Sequence, residues 1–252
     1  DYIICGGGAS GLLLAYRICN DPYFKDRSVL MIEKDFKNTN DRTWCFWESG
    51  KGDLEELVHK NWDQANFSTE DFKIDFSLHP FHYKMIRGID FYKSMNNKLS
   101  KFDQLTQIKE KVKSIENSIV TTEIKSYHGG MIFSSIYNTN SLTQQKKYPV
   151  LLQHFIGQVV QTQKPCFDSN KIEFMNFNVP QKGNTRFMYL LPFKPNKALL
   201  EYTLFSENVL ERKEYSDAIA EFLNQMPTGG YEILEQEEGK IPMTCYRFDL
   251  KN

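Results

Sequence analysis

The sequence lacks the features that define several classes of protein. It has no basic stripe or tail, and its 31 Lys and Arg residues balance 32 Asp and Glu residues, so we expect no binding to nucleic acid. It has no apolar run of about 18 residues, the length that spans a membrane, and no recognisable secretion signal. Its five cysteines form no C-x-x-C pair, which argues against a disulfide framework or zinc cage and favours a reducing compartment.

The chain does contain enough apolar material for a substantial core. Of its 252 residues, 40% are hydrophobic, and 19 Phe, 13 Tyr and 3 Trp make it rich in aromatic rings. A chain of this length can bury a large share of its surface. Its first residues, Asp1-Tyr2-Ile3, already lie within an apolar run, and its last residues show no closing element. We therefore expect a fragment of a longer protein, truncated at both ends.

The spacing of apolar residues predicts an α/β fold with a second, mostly antiparallel layer. Residues 2–33 have the strand, helix, strand order of a βαβ unit, as in a Rossmann-like parallel sheet. Residues 36–50 predict a loop and residues 53–62 a short amphipathic helix. Residues 119–124 and 131–136 are expected to pair as a hairpin. Further strands are predicted at 72–76, 82–86, 151–160, 171–177, 186–193 and 198–205, and helices at 91–102 and 216–226.

A glycine motif follows the first strand. Gly6, Gly8 and Gly11 have the G-x-G-x-x-G spacing, which allows a tight turn, close approach of the backbone to a pyrophosphate and close packing of helix on strand. Glu33 ends the next strand, where a carboxylate accepts hydrogen bonds from ribose hydroxyls. The alternative is a turn chosen for packing alone, but strand, helix and acid together favour dinucleotide binding. A free 2′-hydroxyl is implied, so FAD or NAD is expected instead of NADP.

Two arginines lie near candidate cofactor-binding segments. Arg42 belongs to the segment NDRTWCFW, whose rings either cover the edge of a core or line a flat cofactor or apolar ligand. In the second case Arg42 would face a phosphate or a ring. Arg87 precedes the predicted helix at 91–102, where it either binds a cofactor phosphate or pairs on the surface. Spacing leaves both alternatives open.

Two further places carry ionisable groups. His79 and His82 tempt a metal interpretation, but Pro80 and Phe81 separate them and no third ligand is near, so a structural role is favoured and no metal is expected. Glu201 lies in the apolar segment ALLEYT, where an acid often has a raised pKa suited to proton transfer. A surface acid on an edge strand is the simpler alternative from sequence alone.

Several segments together resemble the flavin-dependent lycopene β-cyclases of carotenoid-producing bacteria. The glycine motif is shared by many flavoproteins, whereas NDRTWCFW and the pair of RFMYLLPF with ALLEYT are more specific to cyclases. The matching segments follow one another along almost the whole chain: DYIICGGGASGLLLAYRI, VLMIEKD, NDRTWCFWE, IRGIDFY, QHFIGQ, TRFMYLLPF, ALLEYTLFS and EEGKIPM.

The resemblance implies a flavoprotein isomerase that acts on lycopene. Its FAD must be reduced, with NAD(P)H as the electron source, although the overall reaction is redox-neutral. A linear ψ-end is protonated, a neighbouring double bond attacks the cation, and loss of a proton leaves a β-ionone ring. Glu201 matches the essential acid of the family. The residues expected to bind the cofactor are Gly6, Gly8, Gly11, Glu33, Arg42 and Arg87.

The same resemblance gives expectations for domains and location. Residues 1–66 and 87–150 are expected to form an FAD-binding domain, and residues 67–86 and 151–252 a discontinuous substrate domain. Lycopene dissolves in lipid, so we expect a cytoplasmic protein in peripheral contact with the inner face of the membrane.

The chain departs from the family pattern at several points. Plant relatives carry two adjacent acids where this chain has Glu201-Tyr202, as bacterial members do. Asn176 stands where the family commonly has Asp, and Asn178 where many members have Arg; an amide cannot exchange a proton near neutral pH. Family members continue beyond the IPM segment into further parts of the flavin site. We therefore expect this chain alone to bind FAD weakly or not at all.

Two other functions remain open from the sequence. A βαβ unit of this kind serves many chemistries, so an FAD-dependent monooxygenase or reductase acting on an apolar substrate is the first alternative. A carotenoid-binding homologue without activity is the second, and Asn176 motivates it.

Overall fold

The computed structural model describes residues 1–136, 142 and 144–247. In chain order, its helices are α1 (Ala9–Asn20), α2 (Gly88–Leu99) and α3 (Arg212–Asn224), with 3-10 turns at Pro22–Phe24 and Glu55–Leu57. Its strands are β1 (Tyr2–Cys5), β2 (Val29–Glu33), β3 (Thr43–Glu48), β4 (Val58–Trp62), β5 (Gln64–Ser68), β6 (Lys73–Ser77), β7 (His82–Arg87), β8 (Leu105–Lys109), β9 (Val112–Glu116), β10 (Ile119–Thr122), β11 (Ser126–His128), β12 (Met131–Ser134), β13 (Val150–Thr162), β14 (Lys171–Asn176), β15 (Thr185–Lys194), β16 (Lys197–Ser206) and β17 (Tyr231–Thr244).

The chain divides into two compact units. The first comprises Asp1–Trp44 and the described part of Ile86–Asn138, and the second comprises Cys45–Met85 and the described part of Thr139–Phe248. The predicted domain ranges differ from this division at residues 45–66 and at the described residues of 139–150, which belong to the second unit, and at residue 86, which belongs to the first. The physical reason is that β5 pairs with β6 and β14 in the sheet of the second unit.

The first unit is built on a parallel sheet in the strand order β12, β1, β2, β8. Helix α1 connects β1 to β2, which confirms the predicted βαβ unit. Apolar residues fill these strands because both faces of a parallel sheet are covered. A core of Ile3, Cys5, Ile32 and Val120 lies on one side. Strands β9, β10 and β11 form a separate antiparallel sheet.

The predicted hairpin of residues 119–124 with 131–136 is wrong. Strand β10 pairs with β9 and β11, whereas β12 pairs in parallel with β1, with Ile132 opposite Ile3. This pairing brings Ile132 against the core of the parallel sheet. Burial of an apolar strand decided the partner, and the glycines between the two segments did not.

The second unit is built on a sheet of seven strands in the order β17, β13, β16, β15, β14, β5, β6. All neighbours are antiparallel except β14 and β5. The mostly antiparallel second layer is thus confirmed, as are the strands predicted at 151–160, 171–177, 186–193 and 198–205.

The two faces of this sheet are covered by different elements. Helix α3 packs on one face, against a core that includes Leu200 and Tyr202 of β16. On the other face, side chains from β3, β4 and β7 pack against Leu191 and Leu199. Because side chains alternate along a strand, Glu201 lies on the same face as Leu199.

Two local predictions fail within residues 36–62, and one strand of the second unit was not predicted. Residues 53–62 form a 3-10 turn and β4 instead of a helix, since Trp62 is buried and its Nε1 donates to the carbonyl of Pro192 at 2.9 Å. The predicted loop at residues 36–50 contains β3. The long polar strand β17 was not predicted at all; its neighbour β13 supplies its partners along most of its length.

Candidate active site

The loop between β1 and α1 makes a turn that requires glycine. Gly6 has a φ of +108°, in the left-handed region. A β-carbon on Gly11 would lie 1.9 Å from the carbonyl oxygen of Gly6, so helix and turn meet through bare backbone. A β-carbon on Gly8 would meet nothing within 4 Å. Helix α1 begins here without a side-chain cap, so its first N–H groups have no capping side chain to bond.

Glu33 contacts the same loop. Its Oε2 accepts a hydrogen bond from the N–H of Gly7 at 2.6 Å, and its Oε1 accepts one from the N–H of Asp35 at 3.1 Å. A β-carbon on Gly7 would lie 3.0 Å from the Cβ and Cγ of Glu33. Each carboxylate oxygen keeps a lone pair that can accept from a hydroxyl. The structure therefore brings Glu33 to the glycine loop.

The backbones that carry the two predicted arginines meet at Gly88. The N–H of Gly88 donates to the carbonyl of Arg42 at 2.8 Å, and a β-carbon on Gly88 would lie 2.8 Å from that oxygen. The Arg42 guanidinium is exposed and donates to the carbonyl of Asp41 at 2.7 Å. Arg87 is half-buried and immediately precedes α2.

Tyr92 of α2 links these groups to Glu33. Its hydroxyl donates to Asp41 Oδ1 at 3.0 Å. Burial raises the pKa of Tyr92, the Asp41 contact adds to the rise, the charge of Arg42 opposes it and that of Glu33 supports it. Glu33 and Arg42 thus lie within electrostatic range of one hydroxyl. The cofactor-binding role of these residues stays a prediction.

The rings of the NDRTWCFW segment have separate surroundings. In the first unit, Trp44 packs edge-on against Phe91 and Tyr92, with centroids 5.3 and 5.7 Å apart, so this ring covers α2. In the second unit, Trp47 contacts Tyr83 at 4.7 Å. The interpretation of Trp44 as a core cover therefore fits, whereas Trp47 belongs to a different cluster.

Glu201 lies on a central strand of the seven-stranded sheet. Strand β16 runs between β13 and β15, and Glu201 is paired with Gly157 on one side and Tyr189 on the other. The alternative of an acid on an edge strand is therefore excluded.

The surroundings of Glu201 alter its acidity. Burial raises its pKa to about 7, the hydrogen bond from Thr203 opposes the rise, and the negative charge of Glu237 adds to it. The Thr203 hydroxyl donates to Glu201 Oε1 at 2.7 Å. A carboxyl group with this pKa holds a proton in part of the molecules near neutral pH and can also release it.

Aromatic side chains lie in contact with one another on the Glu201 face. Neighbouring ring centroids are 4.7 to 5.8 Å apart, the usual range for packed aromatic pairs. We call them the ring series; in order of contact they are Trp47, Tyr83, Phe174, Tyr189, Phe187, Phe177 and Phe67.

The ring series extends from Glu201 to the edge of the sheet. Phe67 contacts Phe72 at 6.5 Å, and Phe72 is exposed beside the edge strand β6. Four strand intervals separate β16 from β6, a span of about 19 Å. The series therefore forms an extended apolar cluster that reaches from the edge of the sheet to Tyr189, which lies beside a titratable acid.

The thiol and phenol groups beside Glu201 keep their protons at neutral pH. Burial raises the pKa of the Cys45 thiol to about 12, and the charges of Glu201 and Glu237 add to the rise. Burial also raises the pKa of Tyr189 to about 12 and that of Tyr83 still further. Compared with these thiol and phenol groups, Glu201 is thus the group suited to exchange a proton near pH 7.

Sequence analysis missed Tyr83, Tyr189 and Glu237. Alternation along TRFMYLLPF puts Tyr189 on one face of its strand, but only the register between β15 and β16 shows that Glu201 shares this face. Glu237 lies on β17, whose polar sequence gave no strand signal.

Asn176 lies on the opposite face of the sheet from Glu201. It is paired with Met188 of β15 and Ser68 of β5, and Met188 belongs to the core under α3. The Asn176 Nδ2 donates to Glu173 Oε2 at 2.6 Å, and its Oδ1 accepts from the N–H of Asn178. Asn176 therefore takes no part in the surroundings of Glu201.

A cavity of about 630 Å³ opens near the other face, lined in part by Ser206. His154 lies 2.8 Å from the Ser206 hydroxyl through Nε2 and 2.5 Å from the Tyr215 hydroxyl through Nδ1. The arrangement is reminiscent of a nucleophile with its base, but the Ser206 hydroxyl donates to the carbonyl of Asn208 at 2.5 Å. His154 then donates to Ser206 and accepts from Tyr215, so the chain of hydrogen bonds ties α3 to the sheet.

The predicted structural role of the two histidines suits their positions. His82 Nδ1 lies 2.5 Å from Asp63 Oδ1, and His79 is exposed. In residues 1–136, 142 and 144–247, no three His, Cys, Asp or Glu side chains are grouped as metal ligands. Across the same part of the chain, no helix has the length and apolarity needed to cross a bilayer.

Comparison with known proteins identifies a family and a fold. The sequence matches the family described as lycopene cyclase protein over residues 1–249. No curated protein matches it. Among solved structures, the flavin-dependent brominase Bmp2 is similar at a TM-score of 0.62 and 15% identity, over 97% of this chain and 67% of that one.

Two further solved structures share this fold. A geranylgeranyl bacteriochlorophyll reductase-like protein from Thermoplasma acidophilum has a TM-score of 0.63 at 12% identity, over 96% of this chain and 66% of its own. A flavin-dependent halogenase from Xanthomonas campestris has a TM-score of 0.65 at 8% identity, over 96% of this chain and 62% of its own. The chain thus spans about two thirds of the length of these structures, and the likeness shows the flavin-dependent oxidoreductase fold.

The residues of the first unit fit the dinucleotide that this fold implies. Open space at Gly8 and the uncapped start of α1 suit a pyrophosphate. The remaining lone pairs of Glu33 suit ribose hydroxyls. The Glu33 side chain lies directly over Gly7, and a side chain at residue 7 would displace that of Glu33.

Proposed function

Because the chain belongs to the lycopene cyclase family, we propose that it converts the linear ψ-ends of lycopene into β-ionone rings in carotenoid biosynthesis. The observation that carries this proposal is the position of Glu201, an acid with a pKa of about 7 paired with Tyr189 in the ring series. The proposed enzyme is therefore an isomerase of the intramolecular lyase type.

Glu201 starts the reaction as a general acid. Its protonated carboxyl group gives a proton to the terminal double bond of the polyene, leaving a carboxylate and a tertiary cation. The neighbouring double bond attacks this cation and closes the ring. A proton leaves the ring carbon framework and returns to a carboxylate, so that atoms and charge balance over one turnover.

The ring series is proposed to bind the polyene and to stabilise the cation. The faces of Tyr189 and Phe174 carry negative potential that attracts a cation, worth about 0.5–2 kcal/mol for each well-placed ring. Packed rings also exclude water, which would otherwise capture the cation as an alcohol. An extended chain can lie along the series while its end reaches Glu201.

The first unit is proposed to bind reduced FAD, weakly in this chain alone, with NAD(P)H as the reductant. Gly6, Gly8 and Gly11 with the start of α1 would hold the pyrophosphate, and Glu33 the ribose. Arg42 and Arg87 would face further phosphate or ring atoms. When bound, the reduced flavin supplies negative charge that stabilises a cation.

We also propose peripheral contact with the inner face of the membrane in the cytoplasm. This proposal is based on the solubility of lycopene in lipid and on exposed apolar side chains on and beside β6. Their exposed fractions are 53% for Phe72, 43% for Ile74, 37% for Phe76 and 48% for Phe81. Sedimentation with liposomes tests this; protein that stays wholly in the supernatant contradicts it.

Expression in lycopene-accumulating cells tests the reaction itself. β-Carotene or a singly cyclised carotene supports the cyclase. A hydroxylated product supports the monooxygenase alternative, and a carotenoid with added hydrogen supports the reductase. Unchanged lycopene that co-purifies with the protein supports a binding protein without activity.

A further inference from the structure

Glu201 has a second carboxyl group as a neighbour, on the far side of a glycine. Gly157 of β13 is paired with Glu201 of β16 on one side and with Glu237 of β17 on the other. Directly paired residues of antiparallel strands project to the same face. Glu201 and Glu237 therefore lie on one face of the sheet, on either side of Gly157, which carries no side chain, and the Leu199 Cδ1 lies 3.1 Å from the point that a β-carbon on Gly157 would occupy.

The Glu237 side chain leans across this gap towards Glu201. Its Cγ lies 3.2 Å and its Oε1 3.4 Å from the point that a β-carbon on Gly157 would occupy. Cross-strand β-carbons of paired residues are about 5 Å apart, so this point lies next to the Glu201 side chain. Any side chain at residue 157 would stand where the two acids approach each other.

We propose that Glu237 is a positioning residue for Glu201: its negative charge, held beside Gly157, keeps a proton on Glu201 and so keeps Glu201 ready to protonate the substrate. The inference rests on the proposed function for its catalytic meaning. The pair itself rests on the strand register and on the contacts of Glu237 at Gly157.

The charges around the two carboxyl groups favour the retention of one proton. Two carboxylates side by side repel each other, so that one of them holds its proton to a higher pH. The groups that interact with Glu201 from neighbouring elements are the Cys45 thiol of β3, the hydroxyls of Tyr83 and Tyr189 on β7 and β15, and Glu237 itself. Glu235 lies two residues further along the same face of β17.

The two carboxyl groups also explain how Glu201 regains its proton during turnover. Glu201 loses its proton to the polyene and the pair becomes doubly negative, which raises its affinity for a proton. The proton released on ring closure then restores the starting state, and the carboxyl group exchanges this proton with water before the next turnover. One proton enters the substrate, one returns, and no further reactant is needed.

Replacement of Glu237 by Gln tests the inference. Removing the neighbouring charge should lower the midpoint at which Glu201 deprotonates by about one pH unit. Cyclisation at pH 8 should then fall about tenfold, whereas activity well below the midpoint stays close to wild type. Glu237→Asp should restore part of the shift. Gly157→Ala, which displaces Glu237 with a β-carbon, should act in the same direction as Glu237→Gln.

Glu238→Gln is the matched control. Glu238 is the next residue on β17, projects to the other face, and forms an exposed ion pair with Arg212 at 2.8 Å. Its replacement removes the same charge from the same strand without touching Gly157. The pH profile of this variant should match that of wild type.

Infrared spectroscopy of the whole chain tests the interaction of Glu201 with Glu237 independently of cyclisation activity. The carbonyl band of a protonated carboxyl group is followed against pH, with Glu201→Gln identifying the contribution of Glu201. A shift of this band to lower pH in Glu237→Gln supports the pair even if no variant cyclises lycopene, a result that would reject only the proposed function. An unshifted band, or a Glu238→Gln profile that moves equally, overturns the inference.

Discussion

Glu201 and Tyr189 are directly paired residues of β16 and β15, so the acid and the ring project side by side from the same face of the sheet. Tyr189 in turn contacts Phe174 and Phe187, with centroids 5.8 and 5.0 Å away. The register of two strands thus brings a proton donor to an extended apolar surface.

Replacement of Glu201 by Gln should stabilise the fold and abolish ring formation. The folded state keeps the Glu201 proton up to a pH of about 7, whereas the unfolded chain loses it near 4.5, so wild-type stability falls as the pH rises through this interval. The variant should be more stable above pH 7 by on the order of 2 kcal/mol, allowing for partial solvent contact, and equal below 4.5.

Denaturant unfolding at several pH values measures this difference. Flavin absorbance of the purified variant should remain as in wild type, because Glu201 lies outside the glycine loop. A variant that still forms rings would show that another group donates the proton.

Replacement of Phe174 by Leu should slow cyclisation without changing the pH profile. Phe174 contacts Trp47, Tyr83 and Tyr189, and loss of its ring removes a face that attracts the cation. The expected loss in kcat is about 5- to 30-fold. Tyr23→Leu, which removes a ring that is 80% exposed, serves as the control and should leave the rate unchanged. Equal rates for both variants would contradict the proposal that the ring series stabilises the cation.

The two glycines of the first loop should respond differently to alanine. Gly11→Ala forces a β-carbon onto the carbonyl oxygen of Gly6, and we expect a loss of about 1–3 kcal/mol in the free energy of unfolding. Gly8→Ala adds a methyl group to open space, so the fold should tolerate it. That methyl group would nevertheless obstruct a pyrophosphate at the start of α1.

Thermal unfolding and FAD titration separate the two effects. Gly11→Ala should lower the unfolding temperature, whereas Gly8→Ala should keep it and weaken FAD binding. Unchanged FAD affinity in Gly8→Ala would mean that the dinucleotide does not approach this turn.

His154 should make the fold sensitive to acid. Burial lowers its pKa from 6.5, the hydrogen bond with Asn208 opposes this, and the charges of Arg186 and Lys240 add to the lowering. The folded state therefore holds His154 neutral, and its contribution to stability is present above pH 6.5 and declines as the pH falls below that value. Protonation would also break the hydrogen bond that His154 accepts from Tyr215.

Comparison with His154→Gln isolates this contribution from that of other titrating groups. The difference in unfolding free energy between wild type and variant should shrink as the pH falls below 6.5. A difference that stays constant with pH would show that His154 does not titrate on unfolding.

The first unit could largely be predicted from the sequence because its signals are local. A strand, a glycine turn, a helix and an acid follow one another within residues 2–33, and each is recognisable from its own few residues. The partner of β12 could not be predicted in this way, since Ile132 joins β1 through a contact with Ile3 that lies far away in sequence.

The candidate site of the second unit depends on register, which a single sequence does not reveal. Glu201 was found through its place in an apolar strand and through family resemblance. Its neighbours Tyr189 and Glu237 come from strands on either side, and Glu237 belongs to a polar strand held mainly by pairing with β13. Asn176 was noted in the sequence because the family commonly has Asp at this position. A shift of register within β14 turns Asn176 to the face of the sheet opposite Glu201.

Mass spectrometry of the carotenoid formed in heavy water tests the central claim most directly. The protein with reduced FAD and lycopene should give a product that, apart from deuterium, has the mass of lycopene and carries one deuterium for each ring, since the proton gained at the double bond is retained and a different one is lost. Glu201→Gln should give none. A product with an added oxygen atom or added hydrogen, or rings without deuterium, would contradict protonation by Glu201 as the origin of the reaction.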